Sequence, residues 1–236
     1  MQAGSLSQNV VLVDGQNQMP AIGETVAWSD KPDNQFATAR VSGIAPGVDH
    51  TRTLALRDGL VIVIDRLESA AEHAYDFVYH NFGELSLGDG WTSAPADKPL
   101  AETTNYANII GLNRLTGQGP LHLRWDLTNQ VSASAKTPPT TTPVHLALWQ
   151  APVAGSEIFT GTIGLNNPNT TRMPDAAPSL FTRARGKTVS FVTVLEPYKE
   201  KPSVTGISLE PDVLTIQRGE ESLRIPLKDF TGGTAR

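Results

Sequence analysis

The stretch RTLALRDGLVIVIDRL, residues 52–67, leaves the chain little choice of fold. Two apolar runs flank Asp58-Gly59, and such a dipeptide between strand-like runs signals a tight hairpin because the turn needs positive φ at both central residues. Val61, Ile62, Val63 and Ile64 are β-branched, and their stiff side chains suit a pleated surface better than a helix. NVVLVDGQ, residues 9–16, repeats the same grammar and reads as a second hairpin. Further strands are expected over 35–42, 73–80, 106–113, 121–127, 144–150, 157–163, 178–184, 188–195, 204–209, 212–217 and 222–227. Helical patterning is poor. DRLESAAEHAYDF (65–77) holds helix formers, but strands bracket it closely, so Glu68 to Glu72 read as a turn. Twenty Gly and seventeen Pro punctuate the chain at short intervals, as a protein of many short strands requires. The expected fold is all-β: a large antiparallel β-sandwich of two or more layers with little helix.

The 236 residues suffice to bury a large core. Residues 1–230 are expected to form one β-sandwich domain, with TGGTAR (231–236) a disordered tail. SASAKTPPTTTP, residues 132–143, is too small and polar to build core and reads as an exposed loop. No internal repeat of fixed period is present. Charged residues make up 18% of the chain, below the usual quarter or so, so the surface relies on uncharged polar groups. A formal net charge of −5 argues against a general nucleic-acid binder and leaves room for a local basic cleft. The absence of cysteine excludes disulfides, thiolate metal sites and a cysteine nucleophile. No window approaches the roughly 18 apolar residues of a membrane span. MQAGSLSQ lacks the basic and apolar regions of a signal peptide, so an export signal would have to lie upstream.

No nucleophile-elbow pattern is present, and the GDG (88–90) and GQGP (117–120) glycines read as turns rather than phosphate cradles. The five histidines, His50, His73, His80, His122 and His145, never stand at zinc-motif spacing. His122 and His145 sit inside apolar strands, where a hydrogen-bonded or exposed ring is the plain reading. In HAYDFVYHNF (73–82), a strand would put His73, Tyr75, Phe77 and Tyr79 on one face and Ala74, Asp76, Val78 and His80 on the other. The aromatic row is either core or a surface for stacking sugar rings. Asp76 and His80 would lie about 13 Å apart, too far to share a proton directly; Asp65 and His80 could meet across neighbouring strands. TRARGK (182–187) places Arg183, Arg185 and Lys187 on one face of a strand that ends in a glycine turn. It is either a solvated edge or an anchor for carboxylate or sulfate groups.

Taken in order, SQNVVLVDGQNQ (7–18), HTRTLALRDGLVIVIDRLES (50–69), HAYDFVYHNFGEL (73–85) and PSLFTRARGKTVSFVTVLEPY (178–198) resemble the C-terminal β-domain of heparinase II/III-like polysaccharide lyases, a group that includes alginate and oligoalginate lyases. The likeness spans most of residues 5–217, and the opening motif carries the most specificity. It implies an α/α toroid ahead of a large antiparallel sandwich, and cleavage of uronic-acid polysaccharides by β-elimination. That chemistry needs donors that neutralise the uronate carboxylate, and a Tyr or His to move protons. Most of those groups come from the toroid in the family, so this chain alone is expected to be inactive.

The family shows a Ser/Ala-His-Asn-Thr-Val run before a Val-Asp-Gly turn. Its metal-binding histidine falls at Gln8, Asn9 matches, Val10 replaces Thr, and Val13, Asp14 and Gly15 match the turn. An amide is a poor zinc ligand beside imidazole, so no metal or other cofactor is expected. The resemblance implies substrate contacts from Gln8, Asn9, His80, Arg183 and Arg185. It also implies an acidic polysaccharide or oligosaccharide and a helical N-terminal domain of the same protein as partners, without nucleic acid or membrane, in the periplasm or outside the cell. Two other readings stay open: a stand-alone carbohydrate-binding module using Trp28, Trp91, Trp125 or Trp149 as a platform, and a structural assembly domain.

Overall fold

The computed structural model describes residues 4–100, 102–103, 106–127, 143–164 and 176–230. The tail and residues 132–142 of the low-complexity stretch lie outside the described residues. Among the described residues fifteen strands carry the fold: β1 (Val11–Val13), β2 (Gly23–Lys31), β3 (Asn34–Ser42), β4 (Val48–Arg57), β5 (Leu60–His80), β6 (Glu84–Leu87), β7 (Thr92–Pro95), β8 (Ile109–Thr116), β9 (Leu121–Asp126), β10 (His145–Gln150), β11 (Glu157–Gly164), β12 (Ala176–Tyr198), β13 (Gly206–Glu210), β14 (Val213–Arg218) and β15 (Glu221–Pro226). Three short 3-10 turns and no α-helix occur among the described residues. All ladders are antiparallel, in one twelve-stranded sheet and a separate three-stranded sheet β13-β14-β15.

Two long strands organise the large sheet. The first part of β5 pairs with β4 and its second part with β1, while β12 pairs with β11 through its first part and β10 through its last. The sheet therefore has two halves joined through the β5–β12 ladder. One is β2-β3-β4-β5-β12-β10-β9-β6, the other β1-β5-β12-β11-β8-β7. The halves fold over each other. Phe77 lies opposite Thr182, nine residues along β12 from Phe191, which would separate them by about 30 Å in a straight strand. Their ring centroids are instead 5.7 Å apart, and Tyr79 meets Trp125 of the other half at 5.4 Å. The sandwich core forms between the halves, from Tyr75, Phe77 and Leu180 on one side and Trp125, Leu148 and Phe191 on the other. The three-stranded sheet adds a third layer, packing Ile207, Leu214 and Ile216 against Ile62, Val192 and Val194.

The fold-over falls where the sequence reads as a turn. Glu68 to Glu72 do not reverse the chain; β5 runs through them. Glu68 pairs with Thr188 and His73 with Gly186, so four β5 residues face a single unpaired residue, Lys187. The odd residue switches the parity of β12. Above it Leu180 and Ala184 face the sandwich core, and below it Val189 and Phe191 do. A bulge thus bends the strand while keeping apolar groups inward.

Both Asp-Gly turns take the expected form, with positive φ at Asp14 (51°), Gly15 (69°), Asp58 (48°) and Gly59 (78°). Only the second closes a hairpin ladder. After Gly15 a single bridge, Val13 to Gln16, is made, and β1 pairs instead with β5. The first stretch is a capped edge strand, not a hairpin.

Candidate functional site

The edge where β1 overhangs β4 gathers a chain of polar groups from both layers. It begins at Asp65, fully buried on β5. Counting outward from the Asp58-Gly59 turn puts Arg52 opposite Asp65 and His50 opposite Leu67. Arg52 grips the carboxylate with two donors, Nε to Oδ1 at 2.6 Å and Nη2 to Oδ2 at 3.0 Å. His50 Nε2 meets Oδ1 at 2.6 Å. Burial pushes the Asp65 carboxyl up, but Arg52 and His50 outweigh it and hold it below its ordinary value.

Arg52 also reaches across the layers, donating from Nη1 to the Asn9 carbonyl at 2.7 Å. Asn9 in turn accepts the His80 backbone N–H on its side-chain oxygen at 2.8 Å. Asp65 and His80 lie on one strand, not neighbouring ones, yet the fold-over links them through Arg52 and Asn9. Gln8 is exposed beside Asn9. The His80 ring is half-buried with Nδ1 enclosed and unpaired, and burial pulls its pKa down, so it is neutral at neutral pH. Asn9 thus meets the His80 backbone, Gln8 lies beside Asn9 only as its chain neighbour, and the His80 ring shares the face of Asp76, away from the sandwich core. Arg52 is the member that sequence reasoning missed, although the hairpin register alone pairs it with Asp65.

Arg183 is not part of an exposed basic patch. β12 continues past Gly186 as a central strand, so TRARGK is neither an edge nor the end of a strand. Arg183 is 7% exposed and clamps fully buried Asp76 through Nε (2.6 Å) and Nη2 (2.7 Å). It also donates to the Leu100 carbonyl, while the Tyr106 hydroxyl donates to Asp76. Burial, then Asp76, raise the Tyr106 pKa, so this phenol stays protonated. The cluster ties Leu100 and Tyr106 to β5 and β12. Arg185 stays exposed on the same face as His80. It lies opposite Ala74, six residues from His80, or about 20 Å along the strand.

The aromatic row of β5 is core: Tyr75 and Phe77 are buried, and the Tyr79 phenol, packed beneath Trp125, is pushed up to about 12 by burial. His73 holds Asp14 at 2.7 Å. His122 stacks on Trp149 with centroids 3.9 Å apart, and burial, helped by Arg124, drops it to about 4. His145 stacks on Tyr198. Among the described residues no cluster of three His, Cys, Asp or Glu is placed to hold a metal, and no helix is long and apolar enough to cross a membrane.

The fold is therefore a layered antiparallel sandwich with a third small sheet, and solved structures of heparinases and a heparan sulfate lyase are similar to it in fold. A heparinase III with methylated lysines superimposes at a TM-score of 0.59, with 12% identity over 95% of this chain and 30% of its own. A second heparinase III gives 0.56, with 11% identity over 94% and 29%. The heparan sulfate lyase HepC of Pedobacter heparinus gives 0.51, with 14% identity over 93% and 30%. The chain thus spans about three-tenths of the length of the lyases it matches, and at such identities the likeness is one of fold. No protein-family model and no curated protein matches the sequence.

Proposed function

We propose that the chain is the β-sandwich portion of a heparinase II/III-like polysaccharide lyase, and that the edge bearing Gln8, Asn9, Arg52 and His80 walls a cleft for a uronic-acid polysaccharide. The observation that carries this reading is the fold likeness to heparinases over 93–95% of the chain. The edge has matching chemistry. Amides and a guanidinium with N–H groups to spare suit hydroxyls and a carboxylate, and His80 supplies a neutral imidazole. In β-elimination a base removes the proton beside the uronate carboxylate, the glycosidic oxygen departs and is protonated, and a double bond is left in the new terminal sugar. Donors that neutralise the carboxylate make that proton removable. Arg185 stands outside this edge, separated from His80 by the covered Arg183–Asp76 pair. The remaining groups come from a helical domain of the same polypeptide. The polymer's location places the work in the periplasm or outside the cell.

The test joins the preceding coding region to this chain and follows the unsaturated uronate by ultraviolet absorbance on alginate, heparan sulfate and hyaluronan. Product from the longer protein, but not from this chain alone, is expected. A longer protein inert on all three removes the proposal.

A further inference from the structure

β2 closes one margin of the twelve-stranded sheet: it pairs with β3 and with no second strand among the described residues. An open strand edge invites pairing with another chain, and folds blunt such edges with short strands, prolines or lysines. The other margins of the large sheet follow that rule. β1 has three residues, β6 and β7 have four each, and β7 ends in Pro95. β2 has nine residues, no proline, and its lysine only at the last position. Which of its backbone groups face outward follows from the turn. Lys31 and Asn34 flank the two-residue turn Pro32-Asp33 and exchange both backbone hydrogen bonds. Alternation directs Ser29 to β3 as well, and leaves the N–H and C=O groups of Trp28 and Asp30 pointing to the open side.

We propose that β2 pairs antiparallel with β2 of a second copy of this chain, about a two-fold axis at Trp28, so that two twelve-stranded sheets become one. The order of charges along the strand chooses this partner. Val26 is a bulge, left unpaired between Thr25, opposite Ala39, and Ala27, opposite Thr38. With that residue set aside, Glu24 stands three ladder positions before Trp28 and Lys31 three positions after it, opposite Arg40 and Asn34 of β3. A two-fold axis at Trp28 therefore sets each Glu24 against Lys31 of the other copy, on the face that carries Ala27. On the opposite face it sets each Asp30 against Thr25, so no like charges meet. Moving the axis to Ala27 or to Ser29 loses both charge pairs. The backbone agrees with the charges, because each outward Trp28 N–H then donates to the Trp28 carbonyl of the other copy. The side chains agree too. Trp28 is 50% exposed, and at the axis it meets its own copy as a cross-strand aromatic pair. Leu54, 49% exposed in the same row on β4, continues the apolar strip on each side. An interface about a two-fold axis must be self-complementary, and β2 carries both halves of the match in one strand.

The inference concerns self-association and stands apart from any cleavage of polysaccharide. The experiment is sedimentation equilibrium of the folded chain from micromolar to millimolar concentration, at low and high salt. A monomer–dimer equilibrium that salt weakens is expected. Glu24→Lys and Lys31→Glu each turn two attractive contacts of the dimer into two repulsive ones, so each should weaken association by at least about tenfold. The two reversals together restore opposite charges across the axis and should regain the parent's affinity. Both positions are exposed, so circular dichroism of all three variants should match that of the parent. A chain that stays monomeric throughout the range overturns the proposal. A dimer indifferent to both single reversals overturns the β2 interface, and a dimer that each single reversal breaks but the double does not restore overturns the register.

Discussion

Replacing Arg183 by methionine separates a buried structural arginine from a surface anchor. Met roughly keeps the aliphatic volume and removes only the guanidinium. Asp76 then loses both members of a bidentate pair, at 2.6 and 2.7 Å, in a place where it is 0% exposed. The Tyr106 hydroxyl remains as a single donor, and the Leu100 carbonyl loses its partner. Stranding one member of a buried ion pair costs about 3–5 kcal/mol, a large fraction of the roughly 5–15 kcal/mol that holds a domain folded. With a urea dependence of about 3 kcal/mol per molar, the unfolding midpoint should fall by about 1–1.7 M. Removing both charges, as Asp76→Leu with Arg183→Met, should recover part of the loss, because an apolar pair of similar volume is often as stable as a buried ion pair while the Tyr106 hydroxyl and Leu100 carbonyl stay unpartnered. Arg185→Met, two residues away and exposed, should stay within about 0.5 kcal/mol of the parent. Urea denaturation followed by tryptophan fluorescence reads all of these. A loss below 1 kcal/mol for Arg183→Met, or a double variant no better than the single, would refute the buried-clamp account.

Other perturbations test other parts of the frame. The Asp65 carboxyl is held below its ordinary 3.8, so the unfolded chain takes up its proton first as pH falls; stability is complete above about pH 4 and drains in stronger acid, and Asp65→Asn should flatten that acid limb of the urea midpoint. His122, pulled from 6.5 to about 4, works in the same direction in a higher window: the unfolded ring protonates first, so stability should decline between pH 6.5 and 4, and His122→Phe, which keeps the stack on Trp149, should reduce that slope. Deleting Lys187 should turn Val189 and Phe191 out of the sandwich core and abolish cooperative unfolding, whereas Lys187→Ala should be nearly silent by circular dichroism.

The sequence made individual strands legible and their continuity illegible. Alternation and the Asp58-Gly59 turn fix β4 and the start of β5, because a two-residue turn sets the register of everything beyond it. SAAE, by contrast, has the composition of a turn or helix, and nothing local reveals that β12 will run beside it and hold it extended. Two expected strands on either side of Gly186 are likewise one strand, because a bulge has the same glycine signature as a turn. β2 escaped notice because one buried residue, Ala27, gives it no apolar period to read. Asn9 and His80, both put forward as wall residues, meet through the Asn9 side chain and the His80 backbone N–H, a contact that no sequence pattern announces. Arg183 was misread because its partner, Asp76, stands 107 positions away, and a lone arginine in a strand looks like surface until that carboxylate is placed opposite.

The same folding-over explains why the edge at Asn9 adjoins an open face of β3. The β1 half of the sheet is narrower on that side than the β4 half: one short strand stands outside β5 in the first, and three strands in the second. When the halves close, the overlap ends at Asn9, and what projects beyond it must be open. Arg52 stands at that boundary, bonded to the overhanging Asn9 on one side and paired with exposed Ala39 of β3 on the other. Its charge is braced by Asp65 from within a rigid ladder, so the guanidinium is held in place before any ligand arrives.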